Sequence, residues 1–322
     1  MSQKRLRVVF MGTPDFALPS FEAVTAVEEV VAVVTQPDRP KGRGLTLLPS
    51  PIKTAAQKRS QPVYQPEKIR KDPLFIETLT QFAPDLIVVV AFGQILPEQV
   101  LKIPSLGCIN VHASLLPKYR GAAPIQWAII TGEQETGVTT MQMDAGMDTG
   151  PILLQSSLVI DPNETASVLS PRLAQAGADL LMRTLEKLKE GTLVPVPQDA
   201  TRATLAPLLK KEDGKIEWEQ EALSIFNRWR GMTPWPGSTT YYGGERLKLL
   251  ALQIGSTEGI WGSPGEVLSL SEIGLEVAAG LGYILVERLQ PEGGKSMTPK
   301  QYAASRPIQK GSILTSSGGD NT

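Results

Sequence analysis

Four apolar runs rich in β-branched residues, Leu6 to Met11, Val30 to Thr35, Leu86 to Ala91 and Cys108 to His112, are separated by stretches of helical periodicity near residues 16–27, 51–59 and 73–82, with another at 124–131. A run that is apolar along its whole length is a strand covered on both faces, and such strands alternating with helices build a parallel α/β sheet. Further strands are expected at Thr136 to Met143 and Ile152 to Ile160, before a long helix from about Ala166 to Glu190. The expected fold is a Rossmann-like, mostly parallel α/β sheet.

Around Gly191 to Ala206 the pattern breaks into Pro, Val, Gln and Thr, which reads as a linker to a second domain. A helical segment near 219–230 follows. Five short strands come next, at Ser238 to Tyr242, Leu247 to Gln253, Gly265 to Leu270, Gly274 to Ala278 and Tyr283 to Leu289, with Gly- or Pro-bearing turns between them. That spacing predicts a small β-barrel of the OB type. The expected boundaries are a first domain over 1–190, a linker over 191–206, a barrel over 207–314 and a disordered tail over 315–322.

Composition narrows the function classes. At 322 residues, with 41% hydrophobic and 20% charged residues, the chain has the profile of a folded protein of one or two domains. Met1 leads directly into the strand-like Val8 to Met11 without an apolar leader. No run approaches the ~20 apolar residues that span a bilayer, so a cytoplasmic location is expected. One cysteine, Cys108, excludes an internal disulfide, and with a single histidine beside it a zinc site is not expected. The net charge of −1 is unevenly spread: residues 1–60 carry nine Lys/Arg against five Asp/Glu, whereas 207–322 carry twelve against thirteen. An anionic partner meets the first region more favourably.

His112 is the only histidine, so imidazole chemistry at neutral pH has one place to occur. Asn110 lies two residues earlier and projects from the same strand face, where the strand ends and a crevice opens. The first strand runs into Gly12-Thr13-Pro14-Asp15, a loop suited to a polar ligand. It lacks the G-x-G-x-x-G spacing of a dinucleotide site, so neither a nicotinamide nor a flavin is expected.

Three segments carry more specific information: Asn110-Val-His112-Ala-Ser114-Leu-Leu-Pro117 with its continuation to Trp127, Met143-Asp144-Ala-Gly146-Met-Asp148-Thr-Gly150, and Phe10-Met-Gly12-Thr-Pro14-Asp-Phe16. Together they resemble the 10-formyltetrahydrofolate-dependent formyltransferases, whose pattern is Asn-x-His followed some 36 residues later by an Asp in a D-x-G-x-D-T-G turn. Here 148 minus 112 is 36. The resemblance implies that Asn110, His112 and Asp148 are catalytic and that a tetrahydrofolate is co-substrate.

The chemistry agrees with that assignment. Moving a formyl group from a folate nitrogen to an amine requires a tetrahedral oxyanion and loss of a proton from the incoming ammonium. Asn110 can donate to the oxyanion, His112 can do the same or shuttle the proton, and Asp148 can orient the imidazole and accept charge. Asp144 is a rival carboxylate; the resemblance places it in the folate-binding loop, and spacing alone does not separate the two. Ser114, Leu115, Leu116 and Pro117 resemble the family's folate-contacting loop. Phe92 and Ile95, after the third strand, match the apolar wall for the pterin ring, although core packing explains them equally well.

The acceptor is indicated by the loop after the second strand, where Arg39, Lys41 and Arg43 sit among glycines and prolines. This reads as a flexible basic arm suited to phosphate contacts on RNA. It resembles the inserted loop with which the tRNA-formylating branch meets the acceptor stem. Phe226 to Gly237 resembles that branch's segment before its barrel. The resemblance therefore implies formyl transfer to methionine carried on initiator tRNA, in translation initiation; since nothing suggests an extended exposed apolar patch, a monomer is expected. Two departures stand: relatives commonly have a lysine where Leu208 lies and a Ser or Thr where Lys210 lies. A sugar-nucleotide formyltransferase and a non-catalytic RNA-binding protein on this scaffold are the alternatives.

Overall fold

A computed structural model describes residues 5–41 and 46–318, and the chain divides into two compact units. The first comprises Met1–Pro124, Glu135–Val159 and Leu169–Pro207; the second comprises Ile125–Gln134, Ile160–Val168 and Leu208–Thr322.

The first unit is built on β1 (Arg7–Gly12), α1 (Leu18–Val27), β2 (Glu29–Val34), β3 (Arg39–Lys41), β4 (Thr46–Leu48), α2 (Pro51–Lys58), β5 (Val63–Tyr64), α3 (Pro73–Gln81), β6 (Leu86–Val90), α4 (Glu98–Leu101), β7 (Cys108–His112) and β8 (Arg120–Gly121). After α5 (Pro124–Ile130) it continues with β9 (Glu135–Gln142), β10 (Ile152–Val159), the greater part of α6 (Ala166–Glu190), and β11 (Leu205–Ala206). Seven strands form one sheet in the order β10-β9-β7-β6-β1-β2-β5. The five from β7 to β5 are parallel, and β9 and β10 add antiparallel at one edge. The central strands are the apolar runs: Val8 to Met11 and Leu86 to Val90 are all buried. β10, by contrast, alternates between more and less buried positions, as an edge strand with one exposed face should.

The parallel topology places the carboxyl ends of β1, β2, β6 and β7 along one edge of the sheet, where ligands of open α/β sheets bind. The turn out of β1 depends on Gly12, because a Cβ there would lie 2.9 Å from the Ala17 Cβ and 3.0 Å from the Val90 carbonyl oxygen. α2 begins at Ser50, whose Oγ accepts from the Lys53 amide at 3.0 Å, and α3 begins at Asp72, whose carboxylate accepts from the Phe75 amide at 3.0 Å.

Two features differ from the sequence expectation. The basic arm is not wholly irregular, since β3 pairs antiparallel with β4. Strands of three residues, one containing Pro40, are too short for an alternation signal. The segment read as a linker also carries structure: β11 pairs in parallel with β8, and Val196 exchanges two 2.8 Å backbone hydrogen bonds with Ile152. A Cβ on Gly121, whose φ is +123°, would meet the Ala206 carbonyl oxygen at 2.7 Å, so glycine permits that close pairing.

The second unit holds α7 (Ala222–Met232), β12 (Ser238–Tyr242), β13 (Glu245–Ser256), β14 (Val267–Leu270), β15 (Leu275–Ala278), β16 (Tyr283–Pro291) and α8 (Pro299–Ala303). Its strands form an antiparallel sheet in the order β12-β13-β16-β15-β14. The chain then returns so that Ile313 bridges Glu266 beside β14 while Thr315 bridges Tyr241 on β12. One segment thereby covers both sheet edges and closes the barrel. Thr315, counted with the tail in the expectation, is part of this closure; residues 319–322 lie outside the described residues. The barrel core gathers Trp218, Ile225, Phe226, Leu247, Leu249, Val286 and Leu289, among others.

Candidate active site

β7 ends in the sequence Asn110-Val111-His112, with Val111 buried in the core and Asn110 and His112 on its other side. The His112 ring is buried, and its Nε2 lies 2.9 Å from the Tyr119 carbonyl oxygen. A carbonyl can only accept, so Nε2 carries a proton and donates. Nδ1 is the ring nitrogen that this carbonyl does not engage, and it faces Asp148 Oδ2 at 3.6 Å. Asp148 Oδ1 lies 3.5 Å from the Asn110 side-chain nitrogen, while Oδ2 accepts the Gly121 amide at 2.9 Å. The three residues singled out by spacing thus meet at the carboxyl end of one strand.

The Asp148 turn has a left-handed backbone, with φ +55°, and so does Tyr119, with φ +60°. Such conformations cost ~1–3 kcal/mol each in a residue with a side chain and persist only where the surroundings enforce them. Here they aim the Tyr119 carbonyl at the imidazole and the Asp148 carboxylate at both Asn110 and His112.

Other predicted residues fall around this centre. Ser114 is fully buried and donates to the Lys118 carbonyl at 2.6 Å. Thr139 Oγ1 donates to the Ser114 carbonyl at 2.7 Å and accepts from the Leu116 amide at 3.1 Å, which fixes the Ser114 to Pro117 loop. Leu116 is buried there, whereas Leu115 and Pro117 are half-buried. Asp144 is exposed, and its Oδ1 is engaged by the Gly146 amide at 3.0 Å and the Thr149 hydroxyl at 2.7 Å. It shapes its own turn, and neither interaction touches the imidazole.

Phe92 is buried and packs in the core with Met11 and Val89. Its carbonyl accepts from Thr13 at 3.0 Å and Gln36 at 3.2 Å. Ile95 is 70% exposed. A cavity of about 360 Å³ lies over the ends of β1, β2 and β6, lined by Thr13, Asp15, Gln36, Arg39, Leu48 and Phe92 among others. Arg39 is exposed at its rim and donates to Gln36 Oε1 at 3.4 Å. The root of the arm is anchored: Lys53 Nζ donates to Asp38 at 2.6 Å, and Gln65 bonds both Asp38 and the Gln36 carbonyl. The Lys53 hydrogen bond, with that from Gln65, holds the Asp38 carboxyl below its ordinary value. Lys41 lies on β3, and Arg43 lies outside the described residues. Leu208 and Lys210 are both exposed.

Cys108 is buried, and burial pushes its thiol up to about 12, so it remains a protonated core side chain. Among the described residues no group of three His, Cys, Asp or Glu side chains could hold a metal ion, and no helix is long and apolar enough to cross a membrane. Sequence reasoning missed Tyr119, Gly121, Gln198 and Thr204, all of which contact or support the cluster. Tyr119 and Gly121 act through backbone atoms, which leave no side-chain signature.

An Asn/His/Asp cluster at the carboxyl edge of a doubly wound sheet, on a chain that also carries a small closed barrel, defines an acyl-transfer protein of two units. Comparison with known proteins places it more closely. The family model for formyl transferase matches residues 6–185, and that for the formyl transferase C-terminal domain matches residues 208–307. The methionyl-tRNA formyltransferase of Trichlorobacter lovleyi is 50% identical over 309 residues, covering 96% of each chain. That of Citrifermentans bemidjiense is 51% identical over 310 residues, again covering 96% of each. Among solved structures, the N-formyltransferase of Helicobacter canadensis, in complex with folinic acid and dTDP-3-aminofucose, superposes with a TM-score of 0.66 at 19% identity, over 87% of this chain and 98% of that one. The chain belongs to the methionyl-tRNA formyltransferase family.

Proposed function

We propose that the chain transfers the formyl group of 10-formyltetrahydrofolate to the α-amino group of methionyl initiator tRNA, giving N-formylmethionyl-tRNA for translation initiation. The observation that carries this reading is the imidazole Nδ1 facing Asp148 beside the Asn110 amide, on a chain half identical to proteins bearing that name.

With Nε2–H committed to the Tyr119 carbonyl, Nδ1 takes a proton from the incoming ammonium and the imidazolium so formed pairs with Asp148. The neutral amine attacks the formyl carbon. The Asn110 side-chain N–H donates to the oxygen as it becomes an oxyanion. Collapse breaks the bond from carbon to the folate nitrogen as the proton held on Nδ1 passes to that nitrogen, and the attacking nitrogen gives its remaining extra proton to the freed Nδ1, leaving a neutral formamide. The Ser114 to Pro117 loop and the Asp144 turn flank the cluster in sequence and are proposed to hold the folate, with Ile95 and the backbone of Phe92 further along the same edge. The acceptor strand is proposed to follow the β3–β4 arm, where Arg39, Lys41 and Arg43 supply phosphate contacts. It would enter over the cavity beneath Arg39.

The test is transfer of radiolabelled formyl from 10-formyltetrahydrofolate to charged initiator tRNA, with uncharged tRNA, free methionine and an amino-sugar nucleotide in parallel. Label only on the charged tRNA is the expected result. Label on the sugar nucleotide alone would replace the reading. Charge reversal at Arg39 should raise KM for tRNA and leave slow hydrolysis of the folate unchanged.

A further inference from the structure

Residues 196–206 hold the two loops from which the cluster is built. Gln198 Nε2 donates to the Asp148 carbonyl at 2.8 Å and to the Gly150 carbonyl at 2.7 Å. Its Oε1 accepts from Arg120 Nε at 3.1 Å and Nη2 at 2.7 Å. A primary amide has two N–H donors and two lone pairs, and all four are used. Gln198 thus joins the two loops that meet at the cluster: the turn that presents the Asp148 carboxylate, and the loop whose Tyr119 carbonyl holds His112. Thr204 reinforces the second. Its Oγ1 accepts from the Tyr119 amide at 2.8 Å, and its carbonyl accepts from the Arg120 amide at 2.9 Å.

Both loops contain the strained left-handed residues, Asp148 and Tyr119. Strain of that kind relaxes when the bonds enforcing it are removed. Relaxation at Asp148 would move its carboxylate away from Nδ1, and a displacement of ~1 Å at a reacting group costs on the order of 100-fold in rate.

We propose that Gln198 is a positioning residue, which sets the Asp148–His112 geometry by clamping the Asp148 turn to the Arg120 loop. The proposal rests on the functional reading for its kinetic consequence, although not for its structural one. Gln198→Leu keeps the size and removes all four hydrogen bonds. It should lower kcat by roughly 10- to 100-fold while KM for the folate and for charged tRNA stays within about 2-fold. Gln198→Glu retains the Arg120 contact and turns oxygens toward two carbonyls. Its activity relative to the parent should rise as pH falls, because a protonated carboxyl again donates to one of them.

The single histidine supplies a readout independent of turnover. Protein labelled with 15N-histidine gives resonances from one imidazole, and the Nδ1 signal should move in Gln198→Leu while Nε2 stays that of a protonated nitrogen. A double-mutant cycle completes the test: Gln198→Leu added to Asp148→Asn should cost little beyond Asp148→Asn alone. An unmoved Nδ1 resonance with kcat within about 3-fold of the parent overturns the proposal. Additive losses in the cycle also overturn it, since the residue would then not act through Asp148. A moved resonance in a protein that never formylates charged tRNA leaves the clamp standing and removes the functional reading instead.

Discussion

The His112 imidazole is held by the carbonyl of Tyr119, with 2.9 Å between Nε2 and the oxygen, and not primarily by the carboxylate that sequence spacing paired with it. The two ring nitrogens therefore have separate partners: Nε2 fixes the ring, and Nδ1 faces Asp148 at 3.6 Å, where the proposed mechanism has it exchange protons. His112→Ala should therefore lower kcat by roughly 10²- to 10⁴-fold, the range for loss of an acid/base group, with folate binding retained. Steady-state rates with equilibrium dialysis of the folate check both halves, and normal turnover would remove His112 from the chemistry.

Asp148→Asn keeps an oxygen for the Gly121 amide and removes the charge facing Nδ1. Its kcat should fall on the order of 100-fold or more while the protein melts at an unchanged temperature, because the hydrogen bond that anchors the side chain survives. A kcat near that of the parent would show that the imidazolium needs no counter-charge.

Asn110→Ala removes the amide that lies on the same side of β7 as His112. One lost oxyanion donor costs roughly 10²- to 10³-fold in kcat with KM little changed. A rise in KM at constant kcat would instead make Asn110 a ground-state binding group.

Cys108 should resist thiol reagents in the folded protein and react once denaturant is added, because burial pushes its thiol up to about 12 and the thiolate is the reactive species. The same shift predicts a pH dependence. The folded pKa is raised, so the contribution to stability is whole below the unfolded value and is lost as pH rises from about 9.0 toward about 12. Denaturant titrations of the parent and Cys108→Ala across that window check this, the variant being expected to lose less stability.

Arg230 is buried in the second unit, where it donates to the Asp161 carbonyl at 3.2 Å, the Glu164 carbonyl at 3.0 Å and Asn227 Oδ1 at 2.5 Å. Burial lowers its pKa, although the neighbouring Asp161 and Glu164 oppose the shift. Arg230→Ala leaves three acceptors without this donor and should destabilise the protein by ~3 kcal/mol or more. Chemical denaturation followed by tryptophan fluorescence would read that loss, and an unchanged midpoint would contradict it.

The strands of the first unit were legible because Val8 to Met11 and Leu86 to Val90 are buried on both faces, and burial of that kind leaves an unbroken apolar run. The β3–β4 pairing was not, because three residues with a proline among them show no period. Asn110, His112 and Asp148 were legible for a different reason: it is their side chains, not backbone atoms, that meet in the cluster, so residue type and spacing mark them in the chain itself. Asp144 could not be separated from Asp148 by spacing; its bonds to Gly146 and Thr149 separate it in three dimensions.

The sequence by itself determined the layered α/β class, the five barrel strands and the three chemical groups, since hydrophobic period and side-chain chemistry are local properties. Only the tertiary structure decided which imidazole nitrogen is free and what holds the site together. Those answers lie in the carbonyl of Tyr119, the amide of Gly121 and the side chain of Gln198, which is 78 residues from Arg120 and 50 from Asp148. Every residue except proline carries the same backbone carbonyl and amide, and a glutamine in a polar stretch resembles any surface glutamine. Their roles exist only once the fold brings distant segments within hydrogen-bonding distance.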